Sequence, residues 1–89
     1  MIRLTLYTRP ECHLCDAAKF VLTRVRRDVP FELIEVDISA PGNEGWLALY
    51  GRDIPVACAE GQEWFRHRVV EADLRRRLHG LSERSGGTR

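Results

Sequence analysis

The sequence lacks the features that mark a membrane protein, a nucleic-acid binder or a disulfide-stapled secreted scaffold. No run approaches the ~20 apolar residues of a transmembrane helix. No uninterrupted apolar stretch precedes Thr8 and Arg9, so neither a span nor a secretory leader is expected. An excess of one charge is also missing. The 14 basic and 13 acidic residues leave a formal net charge of +1, which supplies no global field for phosphate backbones or anionic lipid. Lysine is nearly absent, Lys19 being the only one, and its replacement by arginine carries no functional weight. Cysteine is scarce and odd in number. Cys12, Cys15 and Cys58 cannot pair off into a disulfide framework, and a reducing, cytoplasmic setting is expected. There is no second C-x-x-C, no H-x-x-x-H and no internal repeat. A chain of 89 residues is enough for one domain and too short for two. Such a chain buries roughly 60% of its unfolded surface.

What is present reads as alternating strands and helices. Ile2-Arg3-Leu4-Thr5-Leu6-Tyr7 alternates apolar and polar side chains and is closed by Thr8-Arg9-Pro10, the pattern of a strand ended by a turn. From Leu14, the residues Ala17, Ala18, Val21, Leu22 and Val25 fall on one face of a helix. Arg24, Arg26 and Arg27 suit the negative end of its dipole, and Pro30 stops it. Residues 31–38 are β-rich and predict a second strand, parallel to the first across the helix. Glu44 to Tyr50 predicts a short helix with Trp46, Leu47 and Tyr50 facing inward and Gly51 as its C-terminal stop. Residues 55–59 and 62–66 flank Glu60-Gly61 and predict an antiparallel hairpin. Val70, Leu74, Leu78 and Leu81 predict a last helix ending near Gly80. The domain is thus expected over residues 1–81, with a flexible tail over 82–89.

The chemistry-bearing motif is Cys12-His13-Leu14-Cys15, at the start of the first helix. Exchange requires a thiolate. A free cysteine has a pKa near ~8.5, and a helix N-terminus lowers it into the range ~3.5 to 7.5. As N-cap, Cys12 can accept the unpaired backbone N–H groups of Leu14 or Cys15. Cys15 lies one turn further, on the same side, as a resolving thiol. Arg9 and a protonated His13 favour the thiolate of Cys12. Glu11 and Asp16 oppose it, but both can turn to solvent. A zinc site needs four ligands, and only His13, Cys58, His67 and His79 are available to complete one. Haem attachment is excluded because Asp16, not histidine, follows Cys15. Cys58 reads as a small buried hydrophobe. Trp46, Tyr50, Trp64 and Phe65 read as core or strand-face residues.

A strand running into Leu6-Tyr7-Thr8-Arg9-Pro10-Glu11-Cys12-His13-Leu14-Cys15, then Val36-Asp37-Ile38, then Asp53-Ile54-Pro55-Val56, resembles the glutaredoxin-like proteins of the thioredoxin superfamily, in particular short members with a C-H-L-C pair. The resemblance covers residues 2 to about 80. It implies a thioredoxin fold of order βαβαββα, a four-stranded mixed sheet flanked by three helices. It also implies a cis Ile54–Pro55 bond beside the cysteines, whose backbone groups hold a substrate peptide or glutathione in extended form. Arg9 matches the basic residue that many glutaredoxins place near the thiolate and the glutathione carboxylate. His13-Leu14 replaces the common proline and aromatic residue. Arg66-His67-Arg68 stands where glutaredoxins usually carry a Gly-Gly pair that approaches glutathione.

The resulting expectation is a monomeric thiol–disulfide oxidoreductase with Cys12 and Cys15 as catalytic thiols. Arg9, His13, Ile54 and Pro55 are its expected substrate-binding residues, and no metal or other cofactor is bound. Its partners would be a disulfide-containing protein or a glutathione mixed disulfide, with electrons from glutathione or a thioredoxin-reductase-like flavoenzyme. Neither nucleic acid nor membrane is expected as a partner. Two other readings of the same residues are a metal or iron–sulfur binding module using Cys12 and Cys15, and a non-catalytic adaptor.

Overall fold

The computed structural model describes residues 1–87, with side chains through Leu81. Its seven elements are β1 (Arg3–Thr8), α1 (His13–Asp28), β2 (Glu32–Asp37), α2 (Glu44–Tyr50), β3 (Val56–Ala59), β4 (Gln62–Arg66) and α3 (Glu71–Gly87). The sheet order is β2-β1-β3-β4. β1 runs parallel to β2, from Arg3↔Glu32 to Thr8↔Asp37. It runs antiparallel to β3, from Leu4↔Ala59 to Tyr7↔Val56.

Strand alternation divides the side chains of β1 between two cores. Leu4 and Leu6 join Ala57 and Ala59 on one face, where Ala18, Leu22 and Val25 of α1 and Leu74 and Leu78 of α3 cover them. Tyr7 turns to the other face and packs with Val56, Ile54, Ile38 and Cys15, with Tyr50 of α2 against the same cluster. α1 ends where its sequence dictates: the Val29 N–H caps onto the Val25 carbonyl at 2.8 Å and Pro30 follows. Between α1 and α3 the charged rims join as well, Arg24 with Glu71 and Arg75 with Asp28.

The expected hairpin turn forms, while four local features depart from or go beyond the sequence expectation, each for a physical reason: a bulge in β4, the exposure of α2, the conformation of Gly51 and the end of α3. The hairpin turn at Glu60-Gly61 has both central residues at positive φ, 53° and 74°, as a two-residue turn of the twisted type demands. Beyond it the register shifts: Ala59↔Gln62 and Cys58↔Glu63 give way to Ala57↔Phe65 and Val56↔Arg66. Trp64 is the extra residue of this bulge, which lets consecutive Trp64 and Phe65 both be buried. In α2 only Tyr50 is half-buried, while Trp46 and Leu47 remain 39% and 41% exposed instead of facing inward. The helix is two turns long and rests chiefly on Tyr7, whose ring lies 4.7 Å from Trp46 and 4.8 Å from Tyr50, so nothing covers its flanks.

Gly51 follows α2 in right-handed conformation (φ −53°) and not as a left-handed stop. Its lack of a side chain still matters, because a Cβ there would lie 2.6 Å from the Leu47 carbonyl oxygen. α3 continues past Gly80, the expected end, through Gly87. A glycine inside a helix costs about 1 kcal/mol but ends it only by turning left-handed. The flexible tail expected over 82–89 falls on residues whose side chains, and at 88–89 whose backbone, lie outside the described part of the chain. No helix among the described residues is long and apolar enough to cross a membrane.

Two stability predictions follow from this packing. Thr8 is 5% exposed and its Oγ1 has no hydrogen-bond partner among the described residues. Removing an orphan buried hydroxyl recovers about 1 kcal/mol or more. Thr8→Val is therefore expected to raise the denaturant midpoint, and a lowered midpoint would show that the hydroxyl is paired. Glu71 accepts hydrogen bonds from Arg24 and Arg75, which hold its carboxyl below the usual range, Arg24 first. A carboxylate depressed in the folded state stabilises above its unfolded pKa, and that stabilisation is lost as pH falls through the folded value. Glu71→Gln should thus lower the urea midpoint at about pH 7 and do so by less at about pH 3, below the unfolded glutamate value. An equal shift at both pH values would contradict the ion-pair account.

Candidate redox site

The strand pairings bring three loops to one edge of the sheet. They are the β1–α1 connection (residues 9–12), the α2–β3 connection (51–55) and the β4–α3 connection (67–70). In the first, Glu11 takes a left-handed conformation (φ 57°) that turns the chain from strand to helix. Cys12 follows in extended conformation as the N-cap of α1. Its Sγ accepts the Cys15 N–H at 3.3 Å, and its carbonyl accepts the Asp16 N–H at 3.0 Å. A thiol sulfur thus occupies the place where serine or aspartate usually satisfies an unpaired helical N–H.

Cys12 and Cys15 are joined as a disulfide with their Cα atoms 5.2 Å apart. Their exposures differ. Cys12 is half-buried, whereas Cys15 is completely buried in the cluster of Tyr7, Ile38, Ile54 and Val56. His13 and Leu14 between them are exposed. The α2–β3 loop closes the other side: the Ile54–Pro55 bond is cis, and both residues are buried. Ile54 and the cysteines share one apolar cluster. The Pro55 carbonyl is occupied by the His67 N–H at 2.8 Å. Ile54 makes no hydrogen bond among the described residues.

Arg9 and His13 make no hydrogen bond or ion pair with the cysteines among the described residues. Arg9 lines a cavity of about 370 Å³ together with Lys19, Asp16, Glu35 and Asp37. Glu11 and Asp16 are exposed. Asp37 is held below the usual carboxylate range by the hydroxyl and N–H of Ser39.

Sequence reasoning missed a charged clamp on the third loop. Arg66 Nη1 pairs with Asp53 Oδ2 at 2.7 Å, while its Nε and Nη2 reach Glu63 at 2.9 and 2.7 Å. The Arg66 hydrogen bonds hold Glu63 below the usual range, and Arg66 is held more firmly in its charged form. Neighbouring His67 has φ 75°, with its N–H shared between the Pro55 and Asp53 carbonyls and its Nε2 3.6 Å from Asp53 Oδ1. A side chain in that conformation costs about 1–2 kcal/mol, which these contacts offset. The signal was the bulge, since a plain two-residue hairpin register pairs Val56 with Phe65 and leaves Arg66 beyond it.

Cys58 is the one free thiol, half-buried on β3 and facing Tyr50 Oη at 4.0 Å. Burial pushes it above its ordinary value, and the Tyr50 contact offsets this in part. Burial likewise raises Tyr50 and Tyr7. Among the described residues no group of three or more His, Cys, Asp or Glu is arranged to hold a metal ion.

Comparison with known proteins agrees with this geometry. Residues 3–79 match the family described as "Glutaredoxin-like domain (DUF836)". The glutaredoxin-like protein YDR286C homolog of Dictyostelium discoideum is 32% identical over 77 residues, spanning 82% of this chain and 71% of that protein. The glutaredoxin-like protein NrdH of Escherichia coli is 35% identical over 78 residues, 88% of this chain and 90% of that protein. A solved structure of E. coli NrdH-redoxin, described by its thioredoxin-like activity profile, superposes with TM-score 0.57 at 30% identity, covering 86% of this chain and 95% of that one. Protein XcR50 from X. campestris gives TM-score 0.70 at 31% identity, covering 86% and 96%. The four-stranded mixed sheet with three helices is a thioredoxin fold. With that fold, a C-x-x-C pair at the first helix and a family match over nearly its whole length, the chain belongs to the glutaredoxin-like family.

Proposed function

We propose that this protein is a thiol–disulfide oxidoreductase in which Cys12 is the nucleophile and Cys15 the resolving thiol. The observation that carries this reading is the difference in access between two sulfurs on one helical turn, Cys12 at the surface and Cys15 fully buried. In the reduced protein, the Cys12 thiolate attacks one sulfur of a substrate disulfide. That bond breaks, the departing sulfur leaves as a thiolate and takes a proton, and a mixed disulfide forms at Cys12. The Cys15 thiolate then attacks Cys12 Sγ, releases the second substrate thiol and leaves Cys12–Cys15 oxidised. Two electrons pass to the substrate, and no bound cofactor takes part.

The helix N-terminus favours the attacking thiolate through the Cys15 N–H and the dipole. His13, exposed beside Cys12, is positioned to give a proton to the leaving sulfur. The backbone of Ile54, which makes no hydrogen bond among the described residues, pairs with an extended substrate, while Pro55 fixes the loop behind it. Arg9 adds a positive charge at the entrance. Cys58 takes no part, because burial holds it in the neutral thiol form.

The reading extends to the electron donor. Arg66 is occupied by Asp53 and Glu63, and His67 stands where glutaredoxins usually place glycine for glutathione. The E. coli relative is described as glutaredoxin-like with a thioredoxin-like activity profile. We therefore assign regeneration to a flavoenzyme of the thioredoxin-reductase type, acting on a monomer in a reducing compartment such as the cytoplasm, with a protein disulfide as substrate.

Reduction of a disulfide substrate, assayed in parallel with glutathione and with thioredoxin reductase, tests both parts. Turnover should be at least about tenfold faster with the flavoenzyme; faster turnover with glutathione would reverse the donor assignment. Cys12→Ser should abolish turnover, and Cys15→Ser should accumulate a mixed disulfide visible by mass spectrometry. Full activity of Cys12→Ser would sink the oxidoreductase reading. Cys58→Ala should leave the rate within about twofold, and alkylation of Cys58 in the oxidised protein should be slow at neutral pH and speed up only in alkali.

A further inference from the structure

Most basic side chains of this protein are already engaged, and two that are not flank the cis-proline. Lys19 and five arginines (Arg3, Arg24, Arg66, Arg75 and Arg76) sit in ion pairs. Arg26 donates to the Phe31 carbonyl, and Arg77 lies over the Trp64 and Phe65 rings. Arg52 and Arg68 are exposed and make no ion pair, hydrogen bond or ring contact among the described residues. They lie in different loops, yet each is next to a residue of one contact: the His67 N–H is 3.3 Å from the Asp53 carbonyl.

The carboxylates nearby are already committed. Asp53 and Glu63 hold Arg66, and Glu71 holds Arg24 and Arg75. Glu11 in the β1–α1 loop and Asp16 in the first turn of α1 are exposed and make no ion pair among the described residues. The two remaining unpaired arginines among the described residues differ. Arg9 shares its cavity with Asp16, Glu35 and Asp37, and Arg27 lies in the last turn of α1 at the far end of the sheet. The cleft is therefore asymmetric, with uncompensated positive charge on the cis-proline side and carboxylates in the majority on the α1–β2 side.

Apolar surface lies on the same edge. Leu14 between the cysteines is 57% exposed, and Val70 at the start of α3 is 37% exposed. Exposed apolar side chains beside uncompensated charge are the surface a polypeptide covers on docking.

From this arrangement we infer that Arg52 and Arg68 select an acidic polypeptide segment as the disulfide-bearing substrate, docking its carboxylates beside the cis-proline while Leu14 and Val70 meet its apolar side chains. The inference rests on the oxidoreductase reading and adds a substrate class to it. Both arginines act on docking and leave the exchange chemistry at Cys12 unchanged.

The test uses three disulfide peptides that differ only in the residues flanking the cystine: acidic, neutral or basic. At low ionic strength the reduced protein should reduce the acidic peptide with kcat/KM about fivefold above the neutral one, the sum of two exposed ion pairs. The advantage should vanish in about 0.5 M salt. The double variant Arg52→Ser/Arg68→Ser should lose the preference while reducing a small uncharged disulfide at the wild-type rate. A preference that survives in the double variant, or is absent from the wild type, overturns the inference. So does a loss confined to a glutathione mixed disulfide. If the wild-type protein fails to reduce even the small uncharged disulfide, the oxidoreductase reading falls instead. Anisotropy of the labelled acidic peptide then reads docking alone: a Kd raised about fivefold in the double variant supports the inference, and an unchanged Kd overturns it.

Discussion

The antiparallel pairing of Tyr7 with Val56 determines where the redox pair stands. β1 leaves the sheet just past this pair and carries the chain into Cys12; β3 enters just before it and carries Pro55. The end of one strand and the beginning of the other thus share an edge. A slip of β3 by one residue would turn Val56 into the α1–α3 core and Ala57 out of it, exchanging both faces of that strand at once. The two clusters on either side of the sheet oppose that slip, since each buried leucine of β1 contributes about 1.5–3 kcal/mol. The geometry of the cysteine pair is therefore secured by packing on strands that do not carry the pair.

Much of this was legible in the residues. The alternation of 2–7, the Ala18, Leu22 and Val25 positions of the α1 stripe and the Glu60-Gly61 turn each have one physical solution, and the structure adopts it; Leu14 and Ala17, at the start of that stripe, are exposed beyond the edge of the core. The N-cap role of Cys12 was readable because a helix start leaves donors that something must accept. What was not legible depends on partners distant in sequence. Trp46 and Leu47 have the spacing of an inward face, but how far a face is covered depends on what lies beneath it, and beneath α2 lies little more than Tyr7. Glu11 and His67 adopt a backbone conformation that local preference assigns to glycine. Only the contacts of their neighbours make it tolerable.

The bulge at Trp64 shows how one extra residue reaches the site. It buries two large aromatic side chains in succession and moves Arg66 opposite Val56, within reach of Asp53. Arg66 then ties the β4 end to the loop that carries the cis-proline, and the His67 N–H completes the tie. The segment that replaces the glycine pair of other glutaredoxins therefore has a structural task here. The charge of Arg66 is spent internally, so among the described residues Arg52 and Arg68 are the unpaired arginines of these two loops.

Three cysteines in this chain show how position alone separates their chemistry. Cys15 and Cys58 both pack against the cluster around Tyr7 and Val56, yet only Cys15 lies one helical turn from a second sulfur. Cys58 has a phenol for its neighbour, and burial disfavours its thiolate by more than the Tyr50 contact and the Arg66 charge favour it. Cys12 differs from both in being half-exposed and in having a helical N–H pointed at its sulfur. Burial of Cys15 has the opposite use. In the proposed exchange, a resolving thiol buried this way is reserved for the one disulfide that forms beside it, so exposure would set the order of attack before any difference in acidity is considered.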